Sequence, residues 1–219
     1  MAHLKGVHTI YLQDCKNITD AGLVHLKGVH TISLWNCKKI TDVGLEYLKG
    51  VRETLGGPTL HRINLSYCDQ ITDVGLEHLK GVHSVSLSWC SQITDAGLKH
   101  LKGAHTVNLS WCEQITDAGF ENLKGANIVD LQGDLITDTG LAHLKGVHNV
   151  YLGRCNLITD AGLMNLKGAR TVNLKRCNQI TDSGLVHLKG AHTVDLRECN
   201  QITDAGINKL KLQGVTVYR

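Results

Sequence analysis

Eight cysteines and thirteen histidines are the residues of this 219-residue chain best suited to chemistry. Thiolates and imidazoles hold zinc, and either can act as a nucleophile or a base. The spacing argues against both uses. Cys15, Cys37, Cys68, Cys90, Cys112, Cys155, Cys177 and Cys199 recur once per 22 residues wherever the chain is regular, and no CxxC pair occurs. Zinc needs four ligands converging on a point, whereas one cysteine per repeat makes a column of parallel side chains about 5 Å apart. The expectation is a buried structural column, each thiol serving a backbone group, in a chain suited to a reducing intracellular compartment, cytoplasmic or nuclear. The histidines form two columns. His3, His25, His78, His100, His143 and His187 precede the recurrent Leu-Lys-Gly, and His8, His30, His61, His83, His105, His148 and His192 follow it. Such a stack could bind transition metals or titrate as pH falls, but Tyr47, Asn122, Asn165, Asn127 and Arg170 interrupt it. The histidines read as partly exposed edge residues inherited by duplication, and no metal or cofactor is expected. Catalysis needs unlike groups held convergently, and a translational repeat supplies columns of like groups, so the chain does not read as an enzyme.

What positions these columns is a repeat, seen for instance at Leu79 to His100, LKGVHSVSLSWCSQITDAGLKH. Copies open at Leu4, Leu26, Leu48, Leu79, Leu101, Leu123, Leu144, Leu166 and Leu188, with a partial copy at Leu210. In one copy, alternating apolar residues around Val85 predict a short strand. Thr94 and Asp95 predict a helix start, with Thr as N-cap and the acid in the first turn. Leu98 and Leu101 share a helix face, Lys102 suits the last turn, and Gly103 supplies a left-handed end. No copy can bury its own apolar face, so copies must stack, with Val82, Val85, Leu87, Cys90, Ile93, Leu98 and Leu101 inward. The Gly97 column is expected to let neighbouring turns approach closely.

The pattern LxxLxLxxCxxITDxGLxxL, as in AHTVNLSWCEQITDAGFENL from Ala104 to Leu123, resembles the cysteine-containing class of leucine-rich repeats. That resemblance covers essentially the whole chain. It implies an α/β fold: a right-handed solenoid, or horseshoe, with a parallel concave sheet and short outer helices. About nine 22-residue turns and a terminal strand are expected, in one domain over residues 1–219. The best-known members are substrate receptors of F-box ubiquitin ligases. Here repeat sequence begins at residue 3 or 4, leaving no room for an F-box, so the resemblance implies partner binding alone. The short unit implies tight outer turns.

Along the chain, residues 51–59 insert a loop containing the only proline. The sixth turn, within 123–143, lacks one residue and its cysteine; Asp134 or Gly133 takes that corner, and a change of twist is expected there. Val215 to Tyr218 predicts a last edge strand. The formal charge of +3 is dominated by repeat positions; setting aside ten Lys and nine Asp of the motif leaves 13 basic and 11 acidic residues. No apolar run approaches the length of a membrane span, and the start lacks the apolar core of a signal peptide.

Variation between copies concentrates on the outward strand positions, which begin with Thr9, Tyr11, Gln13 and Asp14. Down these columns Trp35, Tyr67, Trp89 and Trp111 make an aromatic half, since aromatic anchors are enriched in interface hot spots. Tyr151, Arg154, Lys175, Arg176 and Arg197 make a basic half, with Asp130, Asp195 and Glu198 interspersed. The expected function is binding of a protein or peptide, hydrophobic group first and acidic or phosphorylated segment second. The alternatives are a partnerless repeat scaffold, consensus-designed or recently expanded, and a ubiquitin-ligase recognition fragment. Nucleic acid is not expected as a partner, the basic patch being small and mixed with acids. No polar caps are visible at the ends, so a homodimer through the open edges is a further expectation.

Overall fold

The computed structural model describes residues 4, 6–49, 60–133 and 136–219. Contacts divide the chain into two compact units, Met1–Ile115 and Thr116–Arg219. The first carries strands β1 (Thr9–Tyr11), β2 (Thr31–Ser33), β3 (Arg62–Asn64), β4 (Ser84–Ser86) and β5 (Thr106–Asn108). They pair in parallel and in chain order, with Ile10, Ile32, Ile63, Val85 and Val107 in one register row. The second carries β6 (Ile128–Asp130), β7 (Asn149–Tyr151), β8 (Thr171–Asn173), β9 (Thr193–Asp195) and β10 (Thr216–Tyr218). These too are parallel, in the row Val129, Val150, Val172, Val194, Val217. Each strand is three residues long because only its central β-branched residue points inward; the flanking residues face away from the helices.

The expected two-turn helix forms in compressed shape. Helices α1 (Asp20–Leu23), α3 (Asp73–Leu76) and α4 (Asp95–Leu98) are single α turns continued by 3₁₀ turns at Val24–Leu26, Glu77–Leu79 and Lys99–Leu101. Asp117–Leu123, Gly162–Leu166 and Gly184–Leu188 are 3₁₀ throughout, and α5 (Asp138–Ala142) is five residues. Among the described residues, only α2 (Asp42–Leu48) and α6 (Asp204–Leu212) are longer α-helices. A 3₁₀ turn rises about 2.0 Å per residue against about 1.5 Å in an α-helix. It therefore spans the outer side with fewer residues, as a 22-residue turn requires. Thr41, Thr72, Thr94, Thr116 and Thr137 cap their helical segments, each hydroxyl accepting from the backbone N–H two residues on. Gly103 closes its turn at φ +86 with open space around it, so the left-handed backbone and not packing demands glycine.

The core is as expected: Val82, Val85, Leu87, Cys90, Ile93, Leu98 and Leu101 are all buried. The insertion at 51–59 lies outside the described residues, as do Asp134 and Leu135 of the irregular sixth turn. Gly133 holds the corner there at φ +130. Among the described residues no helix is long and apolar enough to cross a membrane.

Candidate functional site

Two sets of bonds tie each turn to the one before it. In the first, the thiol donates to a leucine carbonyl of the preceding turn: Cys37 to Leu12 at 3.0 Å, Cys68 to Leu34 at 3.1 Å, Cys90 to Leu65 at 3.2 Å, Cys112 to Leu87 at 3.0 Å. Cys155, Cys177 and Cys199 repeat the bond in the second unit, to Leu131, Leu152 and Leu174. Burial pushes the Cys68 thiol up to about 12 and the Cys112 thiol up to about 11, and raises Cys37, Cys90 and Cys199 as well. A thiol so held stays protonated, and the thiolate is the species that attacks or ligates. Among the described residues no group of three or more His, Cys, Asp or Glu is placed to hold a metal.

The second set went unread in the sequence. Seven motif Asp residues reach forward to the next turn, where the carboxylate accepts from the backbone N–H and the hydroxyl of that turn's Thr. Asp20 receives Thr41 at 2.9 and 2.7 Å, and Asp42 receives Thr72 at 2.9 and 2.6 Å. Asp73 with Thr94, Asp117 with Thr137, Asp138 with Thr159, Asp160 with Thr181 and Asp182 with Thr203 repeat the rung. The same carboxylate explains the Gly97 column. A methyl built on Gly44, Gly75 or Gly97 would fall on Oδ1 of Asp20, Asp42 or Asp73, closer than non-bonded atoms approach. The signal was present as the co-occurrence of Asp and Gly two residues apart in every copy.

The open face of the first unit has a floor of short polar side chains. Ser66 and Ser86 share a hydrogen bond of 2.8 Å, and Ser88 donates to the Ser110 carbonyl at 3.1 Å. At the strand exits Asn64 and Asn108 accept from the backbone N–H two residues on, at 2.9 Å each. These Asx turns lead the chain into a left-handed corner.

That corner sets where the aromatics stand. Trp35 is on the last outward position before it. Tyr67, Trp89 and Trp111 occupy the corner itself, at φ 64, 62 and 63, so the aromatics form one wall of the face and not its centre. Trp35 meets Tyr67 edge-on at 5.5 Å between centroids, Tyr67 stacks on Trp89 at 5.6 Å, and Trp89 on Trp111 at 5.1 Å. Trp89 is 41% exposed, the others half-buried. Lys38 lies 5.9 Å over the Tyr67 ring while bonded to Asp69 at 2.7 Å. Opposite, at the strand entries, His8, His30, His61, His83 and His105 stack as a second wall, with centroids 4.4 to 4.8 Å apart.

In the second unit, Arg154 and Arg176 take the left-handed corner at φ 65 and 62, and Tyr151 is half-buried on β7. Carboxylates of the chain itself engage three of the expected cations. Arg197 forks onto Asp195 through Nε at 2.9 Å and Nη2 at 2.5 Å, Arg176 Nε donates to Glu198 at 2.7 Å, and Lys175 reaches Glu198 at 3.2 Å. Burial raises the Asp195 carboxyl, but the Arg197 guanidinium outweighs it and holds the group below the usual carboxylate range. This cluster is a network of paired charges.

Sheet, helical crossovers and inter-turn rungs define the class of protein. A family model described as Leucine Rich repeat matches residues 58–80 and 105–124. No curated protein matches the chain significantly. Solved structures do. A chain of the yeast Rad7–Elc1 complex is 20% identical over 93% of this chain and 65% of that one, with a TM-score of 0.56. Internalin C2 of Listeria monocytogenes is 24% identical over 92% and 83%, with a TM-score of 0.59. A chain of the Toll–Spätzle complex of Drosophila is 13% identical over 97% and 36%, with a TM-score of 0.58. The chain thus spans just under two thirds of the first structure and about a third of the last. The two matched stretches are similar to leucine-rich repeats, and the fold is the α/β fold of parallel strands and short helices shared with these solved structures.

Proposed function

We propose that the chain is a protein-interaction module whose first unit binds a peptide or protein segment on its open, concave face, with Trp89 as the central anchor. The observation that carries this is the aromatic wall at the left-handed corner. Bulky residues are outliers in that backbone region, at about 1 to 2 kcal/mol each; the equivalent corners of the first two turns hold Asp14 and Asn36, types that tolerate it. An aromatic pair returns about 0.5 to 1.5 kcal/mol beyond its buried area. Trp89 makes two such stacks, so strain and stacking nearly cancel, and the wall adds little to the fold that Asn would not. Strained outliers that do not help the fold are candidates for function, and half-exposed tryptophans at an interface are strong anchors.

Two likenesses in fold come from solved complexes, Rad7 with Elc1 and Toll with Spätzle, which favours a protein partner over a partnerless scaffold. The paired charges of Lys175, Arg176 and Arg197 make the second unit a subsidiary contact for polar or acidic groups, beside Tyr151 and Arg154. The protonated buried thiols suit a reducing compartment.

The test is selection of binders from a displayed peptide library, followed by titration against Trp89→Asn and Trp111→Asn. Asn suits the left-handed corner, so circular dichroism should be unchanged. Loss of about 2 kcal/mol, or roughly 30-fold in affinity, is expected at Trp89. Unchanged affinity in both variants would remove the proposed site.

A further inference from the structure

The second wall of the same face has its own chemistry. The imidazoles of His8, His30, His61, His83 and His105 lie nearly parallel, with interplanar angles of 9 to 19°. Where a Thr follows, Nδ1 faces its hydroxyl: His8 to Thr9 at 3.4 Å, His30 to Thr31 and His105 to Thr106 at 3.3 Å. That contact fixes the ring and leaves Nε2 as the outward group. No Nε2 of the five has a hydrogen-bond partner among the described residues. The rings are a strip of donors repeating at strand spacing.

The charges acting on the middle of this strip are of one sign. His61 is acted on by His83, His30 and Arg62, and His83 by His105 and Arg62. Lys27, Lys80 and Lys102, three residues before His30, His83 and His105, are exposed. No carboxylate appears among the groups acting on His61 or His83, in contrast to the second unit, where Asp195 and Glu198 neutralise their cations. Burial, then the neighbouring imidazoles and Arg62, hold the His61 and His83 rings below the ordinary histidine value. Acid strong enough to protonate His61 and His83 therefore sets like charges side by side without an internal counter-ion. Adjacent like charges repel, and an anion bridging neighbouring Nε2 groups relieves that repulsion.

We propose that this imidazole strip is a proton-gated docking strip for an acidic segment of the partner peptide. The inference rests on the reading of the open face as a peptide site and adds its charge preference and its pH dependence. An extended peptide presents alternate side chains about 6.6 to 6.8 Å apart on one side, so carboxylates at every second residue can each span neighbouring rungs. Polar Ser and Thr of the floor accept its backbone.

The probe is a fluorescently labelled decapeptide alternating Glu and Gly, titrated by anisotropy with the full chain at pH 5.5 and pH 8.0, where its carboxylates remain ionised. Binding at least tenfold tighter at pH 5.5 is expected, with no such gain for the Gln–Gly peptide. His61→Asn with His83→Asn should abolish the gain; Asn127 occupies the equivalent position of another turn, so the substitution suits the fold. If circular dichroism shows that double variant unfolded, His83→Asn alone should reduce the gain. Equal binding at both pH values, an undiminished gain in the folded variants, or an equal gain for a DNA oligonucleotide of the same charge would overturn the proposal. The strip and the aromatic wall fail separately. Trp89→Asn reports on the library-selected peptides, whereas an acid gain that survives the histidine substitutions sinks the strip whatever Trp89 does.

Discussion

Gly97→Ala should unseat the carboxylate of Asp73, and its effect can be worked from the distances. The added methyl would lie on Asp73 Oδ1 and 3.0 Å from Asp73 Cγ and Leu76 Cδ1. Relief requires the carboxylate to move, breaking its bonds from Thr94 N–H at 2.9 Å and from the Thr94 hydroxyl. Bonds to a charged group contribute about 1.5 to 3 kcal/mol each, and half-exposure puts this pair at the low end, about 3 kcal/mol together. Residual overpacking adds about 1.5 kcal/mol, and alanine's better helix propensity returns about 1 kcal/mol. The net loss is about 3.5 kcal/mol. With Asp73→Ala already in place the methyl has room, and the same substitution should be neutral or stabilising by up to about 1 kcal/mol. The assay is a double-mutant cycle in urea, with amide exchange at Thr94 as the local probe because repeat arrays can depart from two-state unfolding. If Gly97→Ala destabilises both backgrounds equally, within about 0.5 kcal/mol, the carboxylate is not what the glycine accommodates.

Two further outcomes follow from burial and charge. Iodoacetamide at pH 8 should modify Cys15, which is only half-buried, well before the others; peptide mapping that finds Cys68 or Cys112 equally labelled would contradict their raised thiols. The His61 and His83 rings have folded values below their unfolded ones. Stability from them is therefore complete above about pH 6.5 and is lost as pH falls through and below that value. Thermal melts from pH 8 to pH 5 should show a decline that His61→Asn with His83→Asn makes shallower; an identical slope would exclude the stack as its source.

Where a residue type has one physical use, the sequence carried the structure. Leu98, Ile93 and Val85 could only be core, Gly103 could only end a helix, and one cysteine per turn pointed to a column serving backbone. What escaped are features that need two turns at once. Asp73 reads locally as a first-turn acid favoured by the helix dipole, yet its carboxylate belongs to Thr94 and excludes a side chain at Gly97. The histidines read as inherited edge residues because Asn127 and Arg170 break the column, but the break leaves five consecutive rings stacked in the first unit. Tyr67, Trp89 and Trp111 were legible as members of the outward Asp14 column; that this column is a left-handed corner, entered through Asx turns such as that of Asn64, needed the backbone. Charge was hardest to read: Asp195 and Glu198 stand interspersed among Lys175, Arg176 and Arg197 in sequence, and only the fold shows Glu198 paired across the turn with Arg176 and Lys175.

The Asp-to-Thr rung also sets how such an array can change its length. Each turn presents a carboxylate forward and a capped Thr with a bare glycine backward, so every turn is compatible with every other within its unit. Recombination between any two copies in register deletes or adds a whole turn and leaves every remaining rung complete. A point substitution behaves oppositely: a side chain acquired at Gly97 injures the turn before its own. Copy number is therefore free to drift, while the three motif positions are locked to one another across each junction.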